Sequence, residues 1–374
     1  MKRILAVTFF NHFVSGGLAL IIPLLLLERN VDLAEIGVIM SILPLGFLAV
    51  RLFLAALADQ LGWARFYLLL NWPGTFLSTL IYFIANSTPA FLLGKVVEAV
   101  KVSSYWAVNR TAIFSLSPEQ KEREATRNIA VLWLSTALGS AAAGIGITFM
   151  GFPFTLGVLI FAAAIMGIPA ALLWRTRGKS AKPEIDKTFA LLNPKGRSRL
   201  FWLTSFVLVF NSLAFYPLTT LLLPAFMAQQ LGYSYITIGI AFMLSNLVSS
   251  AVAFGTLKMP FGVERVVLQS FVALFAAVLL INSGSYFLAL FLALALANGL
   301  GIGFFESMVA KATEDRQTVS VDIGLLHVPM RLAEFVSVLS AGFAAESFGY
   351  LPVFAASGIF FTVFSVLSFA ILKA

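Results

Sequence analysis

The chain has 374 residues, of which 60% are hydrophobic and 11% are charged. Soluble domains carry about 25% charged residues, so these few charges could not cover the surface of a water-soluble globule of this length. The composition therefore indicates an integral membrane protein. The absence of cysteine excludes disulfides, thiolate metal sites and cysteine nucleophiles.

Twelve apolar runs are long enough to cross a bilayer, which takes about 20 residues in a helix. In chain order they are 4–27, 36–57, 66–86, 90–114, 128–150, 152–174, 200–227, 236–257, 265–283, 285–311, 322–346 and 351–372. The first run is too long for the apolar core of a cleavable signal peptide, so we expect a retained helix. The predicted fold is an all-α membrane protein with twelve transmembrane helices.

The lysines and arginines predict the orientation, because short cytoplasmic loops retain positive charge and exported loops do not. If the amino terminus is cytoplasmic, only Arg29 of the 25 basic residues falls in an exported loop. Four lie within the runs away from the loops, namely Arg51, Lys95, Lys101 and Arg331. All the others fall in cytoplasmic loops or, like Arg110, Arg265 and Lys311, at the cytoplasmic ends of runs. We expect a multi-pass protein of the cell membrane with both termini cytoplasmic, so the net charge of +8 does not indicate a nucleic-acid partner.

The longest polar segment, 175–199, holds eight of the basic residues. It divides the chain into six runs within 1–174 and six within 200–374. We interpret it as a solvated cytoplasmic linker that faces the anionic inner leaflet.

The two predicted halves echo each other at a shift of about 200 residues. The matched pairs are Phe10-Asn11 with Phe210-Asn211, Pro23 with Pro224, Ile36-Gly37 with Ile238-Gly239, Gly62 with Gly262 and Arg65 with Arg265. The pattern favours duplication of a six-helix unit. Many secondary transporters are built from two such bundles around a cleft at the bilayer midplane, and we expect a wet crevice of this kind.

The loop after the second run resembles a motif of the major facilitator superfamily of secondary transporters. The family pattern is G-x-x-x-D-[RK]-x-G-x-[RK]-[RK]; Asp59, Gly62 and Arg65 match it, whereas Ala55 and Gln60 depart from it. The resemblance covers essentially the whole chain. It implies two pseudo-symmetric six-helix bundles that alternately expose a central site to either side of the membrane.

The same resemblance assigns a conformational latch to this loop. A carboxylate at a cytoplasmic turn can accept hydrogen bonds from a helix amino terminus and pair with an arginine. In the family the counterpart of Asp59 does so against the eleventh helix, and Arg110 is our candidate ion-pair partner. Alternatively, Asp59 only caps its own turn.

Run five resembles a degraded form of the antiporter motif of the family. Gly139 and Gly144 fit the pattern, but Ser140 stands where proline is expected. Small residues at these positions also allow ordinary close helix packing, so the motif supports export only modestly.

Six ionisable residues lie deep inside the runs, where charge is costly and usually functional. They are three cations, Lys95, Lys101 and Arg331, and three acids, Glu98, Glu306 and Glu334. Run four carries a polar stripe with Lys95, Glu98, Tyr105 and Asn109 on one face, and His327, Arg331 and Glu334 share a face of run eleven. Arg51 is left out of the deep set because it lies close enough to the inner end to extend to the interface.

Two interpretations of the six charges stay open. In the structural one, Lys95–Glu98 and Arg331–Glu334 are buried ion pairs that only fix helix packing. In the functional one, Glu98, Glu334 and Glu306 couple transport to protons, with Arg331 holding Glu334 ionised until substrate or a conformational change displaces it. The predicted substrate cavity comprises Asn11, His12, Lys95, Lys101, Tyr105, Asn109, Asn211, His327 and Arg331, with Ser15 beside it.

The sequence thus predicts a monomeric, proton-coupled secondary transporter of a small organic solute, with efflux of drugs or amphiphiles slightly favoured. The alternative is a proton-coupled symporter of a nutrient or metabolite. A polytopic enzyme, receptor or scramblase is a remote alternative, because the chain has no H-E-x-x-H, G-x-S-x-G or Walker A motif. No cofactor or metal is predicted, and the partners are the solute, protons and the lipid bilayer.

Overall fold

The computed structural model describes residues 1–116, 119, 121–174, 196–256, 262–280, 284–313 and 319–373. Within these ranges the side chains at 56, 59–61, 110, 121–122, 276, 279 and 319–320 lie outside the description. The described residues form helices and short connections, with no strand among them. The prediction of an all-α chain is therefore confirmed.

Helices occupy all twelve predicted intervals. They are α1 (Lys2–Glu28), α2 (Leu33–Leu61), α3 (Trp63–Ile84), α4 (Thr88–Leu116), α5 and α6 (together Lys121–Trp174), α7 (Arg199–Gln229), α8 (Tyr235–Thr256), α9 (Val263–Leu279), α10 (Phe287–Thr313), α11 (Val319–Leu326 continued by Val328–Phe348) and α12 (Tyr350–Lys373).

Nine stretches of the described residues are long and apolar enough to cross a membrane. One of them, Arg123–Trp174, contains both α5 and α6. The helices outside these nine are α4, which carries the polar stripe, and α9, which has only 17 residues. Twelve crossings therefore stay a prediction, and the multi-pass character of the chain does not depend on them.

Several helices deviate from regular α geometry at identifiable positions. Gly151 has φ +76° inside Lys121–Trp174, and this left-handed conformation, which glycine adopts without strain, ends α5 and starts α6. Single π-helical turns lie inside α3 at Tyr67–Asn71 and inside α7 at Leu218–Leu222, each followed by a proline at the next helical turn. A turn at His327 separates the two parts of α11, with proline in the first turn of the second part.

The contacts group the chain into two compact units. The first unit contains 1–19, 42–195 and 316–325, and the second contains 20–41, 196–315 and 326–374. Each of α1, α2 and α11 is divided between the two units, so the units do not correspond to a single cut of the chain at the linker. The predicted halves 1–174 and 200–374 stay a prediction.

Close approach of α1 to α5 fixes the packing of the first unit. A Cβ on Gly139 would overlap the carbonyl of Phe13, and a Cβ on Gly16 would overlap the backbone of Thr136. Gly144 is buried one turn further along α5. Gly16 and Gly139 let α1 and α5 pack nearly backbone to backbone, as small residues do in membranes.

Candidate functional site

An ion pair on α4 forms the centre of a buried polar cluster in the first unit. Lys95 Nζ lies 3.0 Å from Glu98 Oε2, with side chains 1% and 6% exposed. The two residues are three apart on a helix, so their side chains meet on one face. The hydroxyl of Tyr82, on α3, donates to the same Glu98 oxygen over 2.7 Å. Glu98 is therefore held by one cation and one hydroxyl.

Lys101 extends the same cluster toward α1. It is fully buried, and its Nζ donates to Ser15 Oγ over 2.5 Å. Gly74 makes room for its stem, because a Cβ there would lie 2.8 Å from Lys101 Cβ. We call Ser15, Tyr82, Lys95, Glu98 and Lys101 the first polar cluster.

Two asparagines link α1, α3 and α4 beside this cluster. Asn71 Nδ2 donates to Asn11 Oδ1 over 3.1 Å and to the Lys101 carbonyl over 3.2 Å. The ring of His12 lies 4.9 Å from the ring of Tyr105, edge to face. The predicted cavity residues Asn11, His12 and Lys101 are thus brought together in one unit.

The rest of the α4 stripe is satisfied by neighbouring helices. Tyr105 and Thr8 share a hydrogen bond of 3.0 Å between their hydroxyls, and Thr8 donates to Asn128 Oδ1 over 2.7 Å. The Tyr67 hydroxyl donates to Asn109 Oδ1 over 3.1 Å. Tyr105 and Asn109 therefore pack against polar groups of the protein, as a stripe of this kind requires when it does not line water.

A second ion pair of the same spacing lies on α11 in the second unit. Arg331 Nη1 lies 2.5 Å from Glu334 Oε2, with side chains 22% and 6% exposed. Ser212, on α7, donates to the other oxygen, Glu334 Oε1, over 3.2 Å. We call Ser212, Arg331 and Glu334 the second polar cluster. Each unit thus holds a buried glutamate with a cation three residues earlier and a hydroxyl from another helix.

The other predicted residues of the second unit lie on α7, on α10 and at the turn in α11. His327 is buried at the turn in α11, with its ring 5.6 Å from the ring of Phe305. Glu306 on α10 and Asn211 on α7 are half-buried. Asn211 directly precedes Ser212, which makes the contact to Glu334.

The latch residues are only partly described. The side chains of Asp59 and Arg110 lie outside the described part of the chain, so their pairing stays a prediction. Gly62 has φ +84° at the α2–α3 junction, which favours glycine. The Arg65 guanidinium lies 6.0 Å from the centre of the Trp174 ring.

The position of Arg51 in the sequence predicts that its side chain extends to the interface, but the structure buries it. It is 7% exposed, with its guanidinium 5.2 Å from the centre of the Phe47 ring one turn earlier. A cation over an aromatic face is stabilised in an apolar setting. This arginine therefore adds a buried charge to the first unit.

Sequence reasoning missed the hydroxyl partners Tyr82 and Ser212 of the two glutamates. Neither lies on the helix of its glutamate, so helical spacing could not reveal the contacts. Among the described residues no group of three or more histidines, aspartates or glutamates could hold a metal ion.

In each cluster the glutamate can either stay ionised in its ion pair or take up a proton and lose that ion pair. A buried carboxylate bonded to a cation and a hydroxyl stays ionised, whereas removal of the cation leaves a desolvated charge that takes up a proton. Such a group couples protonation to rearrangement of the helices that carry its partners.

Comparisons with known proteins identify the family. The sequence profile of the Major Facilitator Superfamily matches residues 4–259. Comparison with curated proteins gives no match.

Among solved structures, the nucleoside transporter NupG superposes with a TM-score of 0.72 at 12% identity, covering 100% of this chain and 99% of that one. A bacterial homologue of the human lysosomal transporter Spinster, inward-facing and unoccupied, gives a TM-score of 0.74 at 13% identity, covering 100% and 96%. Its occupied form gives 0.73 at 13% identity, with the same coverage. The chain belongs to the major facilitator superfamily of secondary transporters.

Proposed function

We propose that the protein moves a small organic solute across the cell membrane by alternating access, coupled to protons through Glu98 and Glu334. The supporting observation is the same arrangement in both units: a buried glutamate held by a cation and by a hydroxyl from a neighbouring helix. Intramembrane ionisable groups are costly and often mark proton or substrate paths in transporters. Glu306 is a third candidate for coupling.

The coupling step follows from the charges. When Glu98 is ionised, it holds Lys95 and Tyr82; when it is protonated, Lys95 loses its partner and the contact between α3 and α4 weakens. The same exchange at Glu334 releases Arg331 and Ser212. Protonation thereby changes the relative free energies of helix arrangements, which is what coupling requires.

We propose that transport runs outward and that the exported solutes are drugs or amphiphiles, because the glycine-rich stretch of α5 resembles an antiporter motif. The alternative is uptake by symport. NupG is named as a nucleoside transporter, so nucleosides belong in the solute screen beside organic cations, organic anions, sugars and amino acids. A ligand that binds the folded state raises its apparent stability, so thermal shifts of purified protein select the solutes for transport.

The transport test uses purified protein in proteoliposomes with an imposed proton gradient. Antiport predicts that solute moves against the proton, and symport predicts that both move together. If solute moves but a proton gradient never drives it, proton coupling is wrong.

Glu98→Gln and Glu334→Gln test the coupling residues directly. We expect each variant to lose gradient-driven accumulation while it keeps exchange of labelled for unlabelled solute, which needs no net proton movement. Glu264→Gln is the matched control, because Glu264 is exposed at the start of α9. Unchanged gradient-driven flux in both variants would remove Glu98 and Glu334 from the mechanism.

A further inference from the structure

The buried cations and acids of the first polar cluster do not balance. Glu98 accepts from Lys95 and Tyr82, both at Oε2. Lys101 is fully buried, and no carboxylate oxygen of the described residues lies within ion-pair distance of its Nζ. The cluster thus holds two ammonium groups for one carboxylate.

The neighbour of the Lys101 ammonium is a neutral hydroxyl. Ser15 Oγ accepts from Lys101 and donates its own proton to the carbonyl of Asn11 over 2.8 Å. A single neutral acceptor leaves much of the desolvation cost of a buried ammonium uncompensated. The site therefore favours an additional negative charge.

Polar atoms beside Lys101 also lack partners. Within the described part of the chain, His12 Nε2 and Asn71 Oδ1 are buried without a hydrogen bond. His12 lies on α1 three residues before Ser15, the acceptor of the Lys101 ammonium, and Asn71 donates to the Lys101 carbonyl. Ser15 and His12 are half-buried, so the surface of this unit comes close to the ammonium at these two residues.

We propose that Lys101 binds the negatively charged group of the solute, and that this solute is an organic monocarboxylate. One unbalanced cation matches one negative charge. The described part of the cluster offers no arginine fork of the kind that binds phosphate with two parallel hydrogen bonds. The carboxylate replaces or joins Ser15 at the ammonium, and His12 Nε2 donates to it in the tautomer that carries the proton there.

This inference rests on the proposed function, because the occupant is the transported solute, but its test is a binding test. Purified full-length protein is titrated with butyrate, octanoate, benzoate and phenylacetate, each beside its uncharged primary amide. We expect at least one carboxylate to bind about tenfold more tightly than its amide, the gain of a buried charge-assisted hydrogen bond. If no carboxylate is preferred over its amide, the inference is wrong.

Three variants separate the charge from the fold. In Lys101→Met the preference for carboxylates should vanish. In Ser15→Ala it should persist or grow, because the competing acceptor is gone while the ammonium stays. Lys2→Met, at an exposed position, should leave it unchanged. A preference that survives in Lys101→Met would overturn the assignment.

The melting temperature of the ligand-free protein gives an independent readout. Lys101→Met should raise it, because the variant removes a buried charge without a counter-ion, whereas Lys95→Met should lower it by leaving Glu98 unpaired. A lower melting temperature in Lys101→Met would show that the ammonium is already compensated, against the proposal. If carboxylates bind but no proton gradient drives transport, the proton coupling is wrong and the carboxylate site stands. If a proton gradient drives transport of solutes but carboxylates are not preferred over their amides, the coupling stands and the carboxylate site is wrong.

Discussion

Tyr82 shows how one hydroxyl can stabilise a buried charge. Its OH donates to Glu98 Oε2 over 2.7 Å, while its ring packs against Gly94, where a Cβ would overlap it. Tyr82→Phe keeps the ring and removes the hydrogen bond. We expect a loss of about 1.5 to 3 kcal/mol in the free energy of unfolding, as for other hydrogen bonds to charged groups.

Thermal and denaturant unfolding of purified protein measure this loss. Tyr286→Phe is the matched control, because Tyr286 is 74% exposed and should tolerate the change. Equal effects of the two substitutions would mean that the hydrogen bond to Glu98 contributes nothing to stability.

At this scale the sequence predicted contacts within a helix better than contacts between helices. Lys95–Glu98 and Arg331–Glu334 follow from a spacing of three residues, and the structure brings both pairs together. The hydroxyls of Tyr82 and Ser212 come from other helices. Their positions depend on how the helices pack, and periodicity carries no information about that.

Helix α2 and helix α11 approach each other closely at Gly37 and Gly342 of the second unit. A Cβ on Gly342 would lie 2.5 Å from the Leu33 carbonyl oxygen and 3.0 Å from Gly37 Cα. Beside them, Glu346 Oε2 accepts from the Leu33 amide over 3.1 Å, which satisfies an amide of the first turn of α2. This contact leaves no room for a larger residue.

Gly342→Val should therefore separate α2 from α11 at this end. A cysteine replacing Leu33, which is 6% exposed, provides the readout, because the native chain has none. We expect a water-soluble maleimide to label this cysteine faster in Gly342→Val than in the parent. Gly157→Val is the matched control, because nothing lies within 4 Å of a Cβ there. An unchanged labelling rate in Gly342→Val would show that the contact between α2 and α11 does not limit access of the maleimide to the cysteine at position 33.

The sequence predicted helix positions but not their irregularities. The gap between the predicted runs 128–150 and 152–174 coincides with Gly151, whose φ of +76° ends α5. The run 36–57 is shorter than Leu33–Leu61, because hydropathy marks the apolar centre of a helix and misses its polar ends. The π turns in α3 and α7 change backbone hydrogen bonds without changing the apolar pattern, so hydropathy cannot reveal them.

At the scale of the whole molecule, the family and the helical class followed from composition and from one loop motif. The twelve crossings depend on α4 and α9. Helix α4 has 29 residues but carries buried charges that neighbouring helices satisfy, and α9 has 17 residues. Neither α4 nor α9 is both long and apolar enough to be identified as a membrane span by hydropathy. The distribution of lysines and arginines, by contrast, predicts that both helices cross the bilayer.

Single cysteines in the cysteine-free chain test these two crossings. If α4 crosses, a cysteine at Asn86 is labelled by an impermeant maleimide in intact cells, and one at Glu119 only after permeabilisation. If α9 crosses, Tyr286 and Glu264 behave in the same way, with Tyr286 accessible from outside. All four positions are exposed.

Lys2→Cys serves as the reference for the cytoplasmic side, because Lys2 is exposed at the amino terminus. Labelling of Asn86 and Glu119 from the same side would mean that α4 does not span the bilayer. Lys95, Glu98 and Lys101 would still be buried inside the protein, so the carboxylate site at Lys101 would stand, but it would no longer lie on a path across the membrane. The topology of this one helix thus decides whether the charges of the first polar cluster lie on a path across the membrane.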